Sequence, residues 1–157
     1  MRQRPKTALL DTNILLLWLV ALAEPAILDD FKRVQNFDRE DVLHLRKLLA
    51  KFSEIHTTPH VLAEASNFVD QSPPRWRSVL TETLKAFIRA VPETHDAAVK
   101  LIDRPEFNSF GLTDTALSKL SAEAVVITVD FRLSGKIEAS GGNAINFNHH
   151  RFEDQRG

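Results

Sequence analysis

Four acidic residues stand where an apolar run ends or where a helix is expected to begin. They occur in the segments Leu9-Leu10-Asp11-Thr12-Asn13, Pro59-His60-Val61-Leu62-Ala63-Glu64, Gly111-Leu112-Thr113-Asp114 and Ile127-Thr128-Val129-Asp130. A carboxylate at the end of an apolar run is costly to desolvate unless a positive charge meets it. Four such carboxylates gathered at one place would form a site for a divalent cation. The sequence therefore predicts that Asp11, Glu64, Asp114 and Asp130 are metal-binding, catalytic residues.

Each of these acids also has a purely structural interpretation. Asp114 at a helix start would complement the helix dipole, a contribution of about 0.3–1 kcal/mol. Asp11 would belong to an ordinary turn, since Asp and Asn favour such positions. Glu64 would be a solvent-facing helix residue, and Asp130 would cap the helix that follows it. It is the joint pattern of the four acids that favours the metal site.

Secondary-structure signals alternate between strands and helices along the chain. Strands are predicted at 7–10, 54–57, 124–128 and 144–147, and helices at 14–22, 39–52, 59–72, 75–90, 96–102, 113–120 and 131–139. Strands separated by helices favour an α/β sandwich with a mainly parallel sheet. In this arrangement Asp38, Thr58, Thr94 and Thr113 are expected to cap helices.

The predicted elements suggest where the acids lie. In an open parallel sheet, ligands bind beyond the carboxyl ends of the strands. Asp11 and Asp130 each follow a predicted strand closely, so both belong on that edge. Asp114 is expected at a helix N-terminus, and Glu64 one turn into its helix. We therefore expect the four carboxylates to meet at one edge of the sheet.

The composition indicates one ordinary domain. The chain has 157 residues, of which 43% are hydrophobic and 26% charged, as in soluble globular proteins. We expect a single domain over 1–157, with a core at about 7–148 and a polar tail at 149–157. The absence of cysteine excludes disulfides, thiol catalysis and thiolate metal sites. The net charge of −1 offers no basic field for nucleic acid, although the carboxylates of a nuclease would cancel a local basic rim.

The N-terminal segment has an alternative interpretation as a secretory signal. It begins with basic residues, continues with the apolar run 14–23 and ends with Ala21-Leu22-Ala23, which imitates a cleavage site. However, Asp11 and Asn13 interrupt the apolar residues, and the remainder is shorter than the roughly 20 residues that span a bilayer. We therefore expect a strand, a turn and a buried helix here, in a cytoplasmic protein without a membrane partner.

The four acidic segments together resemble those of the PIN-domain ribonucleases, and within them the VapC-like toxins. The resemblance extends from Leu9 to about Phe147, and the acids occur in the family's order and setting. It implies a three-layer α/β/α sandwich and an endoribonuclease that uses Mg²⁺ or Mn²⁺ to hydrolyse RNA phosphodiester bonds. It also places Asn13, Thr113 and Thr128 beside the metal ligands. Thr12, together with Thr128, is expected to hydrogen-bond the carboxylates or a metal-bound water.

The resemblance implies partners as well as chemistry. It implies an antitoxin protein as a partner and a homodimer as the oligomeric state. The segment 24–52 is longer and more charged than in compact toxins of this family, and Lys32 and Arg33 in it are expected to be solvated. Two other functions stay open. One is a catalytically silent PIN-like binding module; the other is a Mg²⁺-dependent phosphotransferase with Asp11 as nucleophile, although Asn13 stands where such enzymes carry a second Asp.

Two further segments are candidates for RNA contacts. Arg75-Trp76-Arg77 combines guanidinium groups with a ring that would stack on a base, although an inward-packed Trp76 is the simpler interpretation. His149-His150-Arg151 follows the last predicted strand and would reach a phosphate if it were not simply a polar tail.

Overall fold

The computed structural model describes residues 5–149, in which parallel strands alternate with helices. The strands are β1 Thr7–Leu10, β2 Glu54–His56, β3 Val125–Thr128 and β4 Asn143–Asn146. The α-helices are α1 Thr12–Ala23, α2 Arg39–Leu49, α3 Pro59–Asp70, α4 Pro74–Ala90, α5 Ala98–Leu101, α6 Phe107–Leu120 and α7 Phe131–Ala139. Two 3₁₀ helices, Pro25–Asp29 and Lys32–Val34, lie between α1 and α2.

The four strands form a parallel sheet in the order β2-β1-β3-β4. Leu9 of β1 lies between His56 of β2 and Val126 of β3, and Val126 pairs in turn with Ala144 of β4. From β1 the chain adds β2 on one side, then returns to add β3 on the other side of β1, and finally adds β4 beyond β3. The direction of building reverses between β1 and β3, which is the kind of position where α/β sheets bind ligands.

Helices cover both faces of this sheet. All four residues of β3 are buried, and so are Ala8, Leu9 and Leu10 of β1. Strands buried on both faces require cover on both sides, which is typical of parallel sheets. Helix α1 packs against α2, α3 and α4, whereas α7 packs on β3 and β4 and contacts α6. The predicted three-layer α/β/α sandwich with a parallel sheet is confirmed.

Helix α1 is the central helix of the core. Its side chains are apolar on nearly all sides, which is typical of a buried helix, and Ile14, Leu15 and Leu17 have no exposed surface. The segment that imitates a secretory signal therefore folds as β1 and a core helix. In the described part of the chain, no helix combines the length and the apolar character needed to cross a membrane.

Local signals place two helix starts correctly. The Asp38 carboxylate accepts the backbone N–H of Asp41, whose carboxylate accepts the N–H of Asp38, which is a reciprocal capping box. The Thr58 hydroxyl accepts the N–H of Val61, and Pro59 occupies the first helical position. The two predicted caps, Asp38 and Thr58, are confirmed.

The prediction that Thr113 caps a helix is wrong. Helix α6 begins at Phe107, and Gly111 interrupts it with φ 79° and ψ −175°. The second half of α6 therefore starts after Gly111, with Thr113 already inside the helical turn. Its hydroxyl is free to bond a distant residue instead of its own helix.

The region before α6 also differs from expectation. Helix α5 covers only Ala98–Leu101, and Thr94 does not cap it. The backbone N–H of Thr94 donates to the carbonyl of Thr57, so this stretch extends the edge of the sheet. In α4, Leu80, Leu84 and Phe87 face the core, whereas Val79 and Ile88 are 39% and 45% exposed.

Candidate metal centre

Asp11 lies at the sheet edge, at the reversal point between β1 and β3. Its backbone N–H donates to the carbonyl of Ile127 at 3.0 Å, which continues the pairing of β1 with β3 beyond the strand. Its Oδ1 accepts the N–H of Thr12 at 2.8 Å, so Asp11 also caps α1. Its Oδ2 accepts the hydroxyl of Thr128 at 2.7 Å. Hydrogen bonds to both oxygens therefore fix the orientation of the Asp11 carboxylate.

Thr128 connects Asp11 to Asp130. While its hydroxyl donates to Asp11, the same oxygen accepts the backbone N–H of Asp130 at 3.0 Å. The Oδ1 of Asp130 accepts the N–H groups of Arg132 and Leu133 at 2.9 and 3.2 Å, and so caps α7. The structural interpretation of Asp130 as a helix cap is correct for this oxygen. Its Oδ2 accepts no hydrogen bond from residues 5–149.

Glu64 joins two helix beginnings that are far apart in sequence. Its Oε2 accepts the hydroxyl of Thr12 at 2.8 Å, and its Oε1 accepts the hydroxyl of Thr113 at 2.9 Å. Glu64 is half-buried and is not a solvent-facing helix residue. Through these two threonines it ties α3 to the start of α1 and to the second half of α6.

The carboxylate of Asp114 has a strongly raised pKa. It is half-buried, and its carboxylate accepts no hydrogen bond from the part of the chain that the structure describes. Burial, followed by the negative charges of Asp11, Asp130 and Glu64, raises its pKa from 3.8 to about 7. Because these charges act on Asp114 strongly enough to shift its pKa, the four acids lie in one cluster, which we call the acidic cluster.

The pKa of Asp11 is perturbed in the same direction. Burial raises its pKa, the hydrogen bonds from Thr128 and from the Thr12 N–H lower it, and the charges of Glu64 and Asp130 raise it further. No cationic side chain of residues 5–149 contributes to the shift at Asp11 or Asp114. The acidic cluster therefore gathers negative charge that the described part of the protein does not neutralise.

Within residues 5–149, no three acidic or histidine side chains stand in a ready-made coordination arrangement. Threonine hydroxyls and backbone N–H groups hold the oxygens of Asp11, Glu64 and Asp130 in their present directions. A small hard cation still fits this donor set, because Mg²⁺ is usually bound by one or two carboxylates and keeps several waters. Asp114, which has no hydrogen-bond donor, and Asp11 are the best-placed ligands. Zn²⁺ fits poorly because it favours histidine and thiolate ligands.

The predicted polar neighbours of the acids divide into two groups. Thr12, Thr113 and Thr128 each donate a hydroxyl hydrogen bond to one of the acids. Asn13 does not; it is exposed and lines a separate small cavity beside the cluster. Sequence reasoning missed this cavity, because Arg33, treated there as a solvated charge, reaches it from the unassigned segment 24–52.

The other candidate RNA contacts lie elsewhere. Trp76 is half-buried, packs on the core and donates its Nε1–H to Asp30 at 2.7 Å. This is the inward-packed arrangement, so its ring is not a free stacking surface. His149 is exposed at the end of the described chain. His150, Arg151 and the rest of the predicted polar tail lie outside the described residues.

Comparison of the chain with protein-family models, with curated proteins and with solved structures gives no match in any of the three. The resemblance to PIN-domain ribonucleases therefore rests on the four acidic segments alone and stays a prediction. Any functional conclusion has to be drawn from the geometry and charge of the acidic cluster.

Proposed function

We propose that the protein is a metal-dependent endoribonuclease that hydrolyses phosphodiester bonds at the acidic cluster. The observation that carries this proposal is the state of Asp114. Its pKa is raised to about 7 by burial and three neighbouring carboxylates, with no cation of the described chain to offset them. A group in that state is stabilised by a bound divalent ion, and it lies where parallel sheets bind ligands.

Some residues of the acidic cluster would bind the ion, and others hold these ligands in position. Asp11 and Asp114 would hold Mg²⁺ or Mn²⁺, and the Oδ2 of Asp130 is available to the ion or to one of its waters. Such an ion, when bound, activates water for attack and neutralises charge on the leaving oxygen of a phosphodiester. Thr128 fixes the direction of the Asp11 carboxylate, and its hydrogen bond lowers the pKa of Asp11 against the burial that raises it.

Glu64 takes a positioning role in this proposal. Both of its oxygens accept threonine hydroxyls, from Thr12 beside Asp11 and from Thr113 beside Asp114. It therefore sets the spacing between the two best-placed ligands. Outer residues of this kind typically change metal affinity or activity by about 10–100-fold when they are replaced.

The phosphotransferase alternative has less support. Such enzymes carry a second Asp two residues after the nucleophile, whereas this chain has Asn13 there, and Asn13 is exposed and lines another cavity. The toxin role, an antitoxin partner and a homodimer follow from the resemblance alone and stay predictions.

An RNA cleavage assay tests the proposal. Unstructured RNA is incubated with the protein in Mg²⁺ or Mn²⁺, and in EDTA. The same assay is run on Asp11→Asn, Asp114→Asn and, as a matched control, Asp103→Asn, which changes an exposed acid outside the cluster. We expect metal-dependent cleavage that falls at least about 100-fold in the first two variants and is unchanged in the control. Cleavage that persists in EDTA would contradict the proposal. So would undiminished cleavage by both Asp11→Asn and Asp114→Asn.

A further inference from the structure

A small cavity of about 190 Å³ is lined in part by residues that neighbour two acids of the acidic cluster in sequence. Its lining residues are Asn13, Arg33, Asn36, Phe37, Val129 and Asn148. Two of them adjoin the cluster in sequence, since Asn13 follows Asp11 by two residues and Val129 precedes Asp130. A group bound in this cavity would therefore be a near neighbour of a phosphate at the acidic cluster.

The lining combines three kinds of recognition chemistry. Three carboxamides supply hydrogen-bond acceptors and donors, of which one Nδ2 hydrogen of Asn148 is already donated to the carbonyl of Val129. Phe37 contributes an aromatic ring, and Arg33 a guanidinium group. Among residues 5–149, no carboxylate lines the cavity, so its chemistry differs from that of the acidic cluster.

Several of these side chains are held in place by the rest of the protein. The guanidinium of Arg33 lies 4.0 Å from the centroid of the Phe68 ring. The ring of Phe37 packs against Phe147, with 6.2 Å between centroids. Asn148 donates from Nδ2 to the carbonyl of Val129 at 3.2 Å. The walls of the cavity are thus preorganised, which lowers the cost of binding.

The size of the cavity limits what enters it. Pockets for drug-sized ligands measure roughly 300–1,000 Å³, so about 190 Å³ suits a single planar group. Unpaired RNA bases are recognised by aromatic stacking together with hydrogen bonds to their edges. Phe37 and the carboxamides supply these two elements, and Arg33 supplies a cation for the attached phosphate.

We propose that this cavity binds one unpaired RNA base adjacent to the bond cleaved at the acidic cluster. The inference deepens the proposed function and rests on it for the place of cleavage. It gives the enzyme a base preference at one position of its substrate. It also assigns a role to the 3₁₀ segment Lys32–Val34 and the residues after it, which contribute Arg33, Asn36 and Phe37 to the cavity wall.

Binding without cleavage tests this inference separately from the catalytic proposal. The full-length protein in EDTA is titrated with fluorescent single-stranded RNA pentamers that differ only in the central base, and anisotropy gives the dissociation constants. We expect the best pentamer to bind at least about 10-fold more tightly than the worst, a typical discrimination for hydrogen-bond readout of a base. Asn36→Ala should reduce that ratio to about twofold or less.

Gln35→Ala is the matched control, because Gln35 is the exposed neighbour of Asn36 and does not line the cavity. It should keep the preference of the unaltered protein. Equal binding of all pentamers, or the same preference in Asn36→Ala as in Gln35→Ala, would overturn the inference even if RNA is cleaved. A base preference that Asn36→Ala removes supports the cavity as a base site even if the cleavage assay fails, so the two proposals fail independently.

Discussion

At the acidic cluster, hydrogen bonds are distributed unequally among the carboxylates. Asp11, Glu64 and Asp130 accept hydroxyl or backbone N–H groups, whereas Asp114 accepts none from residues 5–149. The hydrogen bonds favour the ionised form of the residues that receive them. Asp114 lacks that support, so its ionisation is costly in the folded protein.

This cost predicts a pH dependence of stability. The pKa of Asp114 is about 7 in the folded protein and 3.8 for the unperturbed group. Between these values the folded state binds a proton that the unfolded state has lost, so the free energy of unfolding falls as pH rises from about 4 to 7. Asp114→Asn should be about 1–2 kcal/mol more stable than the unaltered protein at pH 8, after allowance for solvent screening.

Urea unfolding at pH 4.5 and pH 8 in EDTA measures this difference. The variant and the unaltered protein should converge at the lower pH, where Asp114 is protonated. Asp103→Asn, at an exposed site, should follow the unaltered protein at both pH values. If Asp114→Asn were less stable than the unaltered protein at pH 8, Asp114 would have a structural role and not a metal-binding one.

The hydroxyl of Thr128 should be needed for activity but not for folding. Thr128→Val keeps the shape of this buried residue and removes the donor to Asp11 and the acceptor for the Asp130 N–H. Because that hydrogen bond lowers the pKa of Asp11, the acidic limb of the pH–rate profile for RNA cleavage should move to higher pH. The rate should fall by about 10–100-fold.

Thr115→Val makes the same change at a buried hydroxyl that has no hydrogen-bond partner within residues 5–149. Its cleavage profile should match that of the unaltered protein. An unshifted pH profile in Thr128→Val would show that the hydroxyl does not tune Asp11.

The four acids could be identified from the sequence, whereas the hydrogen bonds that connect them could not. Asp11 and Asp130 follow apolar runs, so their place at the sheet edge could be derived from a rule for parallel sheets. The hydrogen bonds from Thr12 and Thr113 to Glu64 join residues 52 and 49 positions apart. No local pattern encodes such pairings, because they depend on how three helices pack.

Among the elements, α6 has the least regular geometry near the site. Gly111 adopts φ 79° and ψ −175°, a region that is almost exclusive to glycine. This break allows the second half of α6 to start where Thr113 reaches Glu64 and Asp114 joins the acidic cluster. The glycine therefore positions two residues of the proposed centre.

Gly111→Ala should destabilise the protein by about 1–3 kcal/mol, the usual cost of such a backbone conformation for other residues. An added methyl group would meet no atom within 4 Å, so a steric clash with neighbours would not be the cause. Gly135→Ala is the control, since Gly135 lies inside α7 with equally open space. It should stabilise by about 0.5–1 kcal/mol. Equal effects of the two substitutions in urea unfolding would refute the role given to Gly111.

Element boundaries were predictable where the signal was local. The capping box of Asp38 and the Thr58-Pro59 start are complete within four residues. The prediction failed at Thr94, because the carbonyl of Thr57, a distant residue, takes its N–H. It failed at Thr113 because the break in α6 lies at Gly111, so Thr113 is already inside the helix.

In the whole molecule, the acidic cluster lies where the order of strands reverses. The alternation of strands and helices predicted a parallel sheet, but the order β2-β1-β3-β4 depends on long-range packing that local patterns do not contain. The hydrogen bond between Asp11 and Thr128 spans 117 positions and bridges β1 and β3. Folding of the entire sheet is therefore required before the centre exists.

Since only the folded chain assembles this centre, a bound cation should stabilise the whole protein. Mn²⁺ at about 100 times its dissociation constant would add about 2.7 kcal/mol to the free energy of unfolding. The rise in melting temperature should be larger at pH 8 than at pH 5, because protons compete for Asp114 at the lower pH. A rise that is equal at the two pH values would indicate that Mn²⁺ binds elsewhere.

Calorimetric titration with Mn²⁺ at pH 7.5 tests the acidic cluster as a cation site most directly. The unaltered protein and Asp103→Asn should show the same saturable binding, with release of protons to the buffer as Asp114 ionises. Asp11→Asn and Asp114→Asn, folded as judged by circular dichroism, should lose that binding. Saturable Mn²⁺ binding of undiminished affinity in both cluster variants would contradict the account.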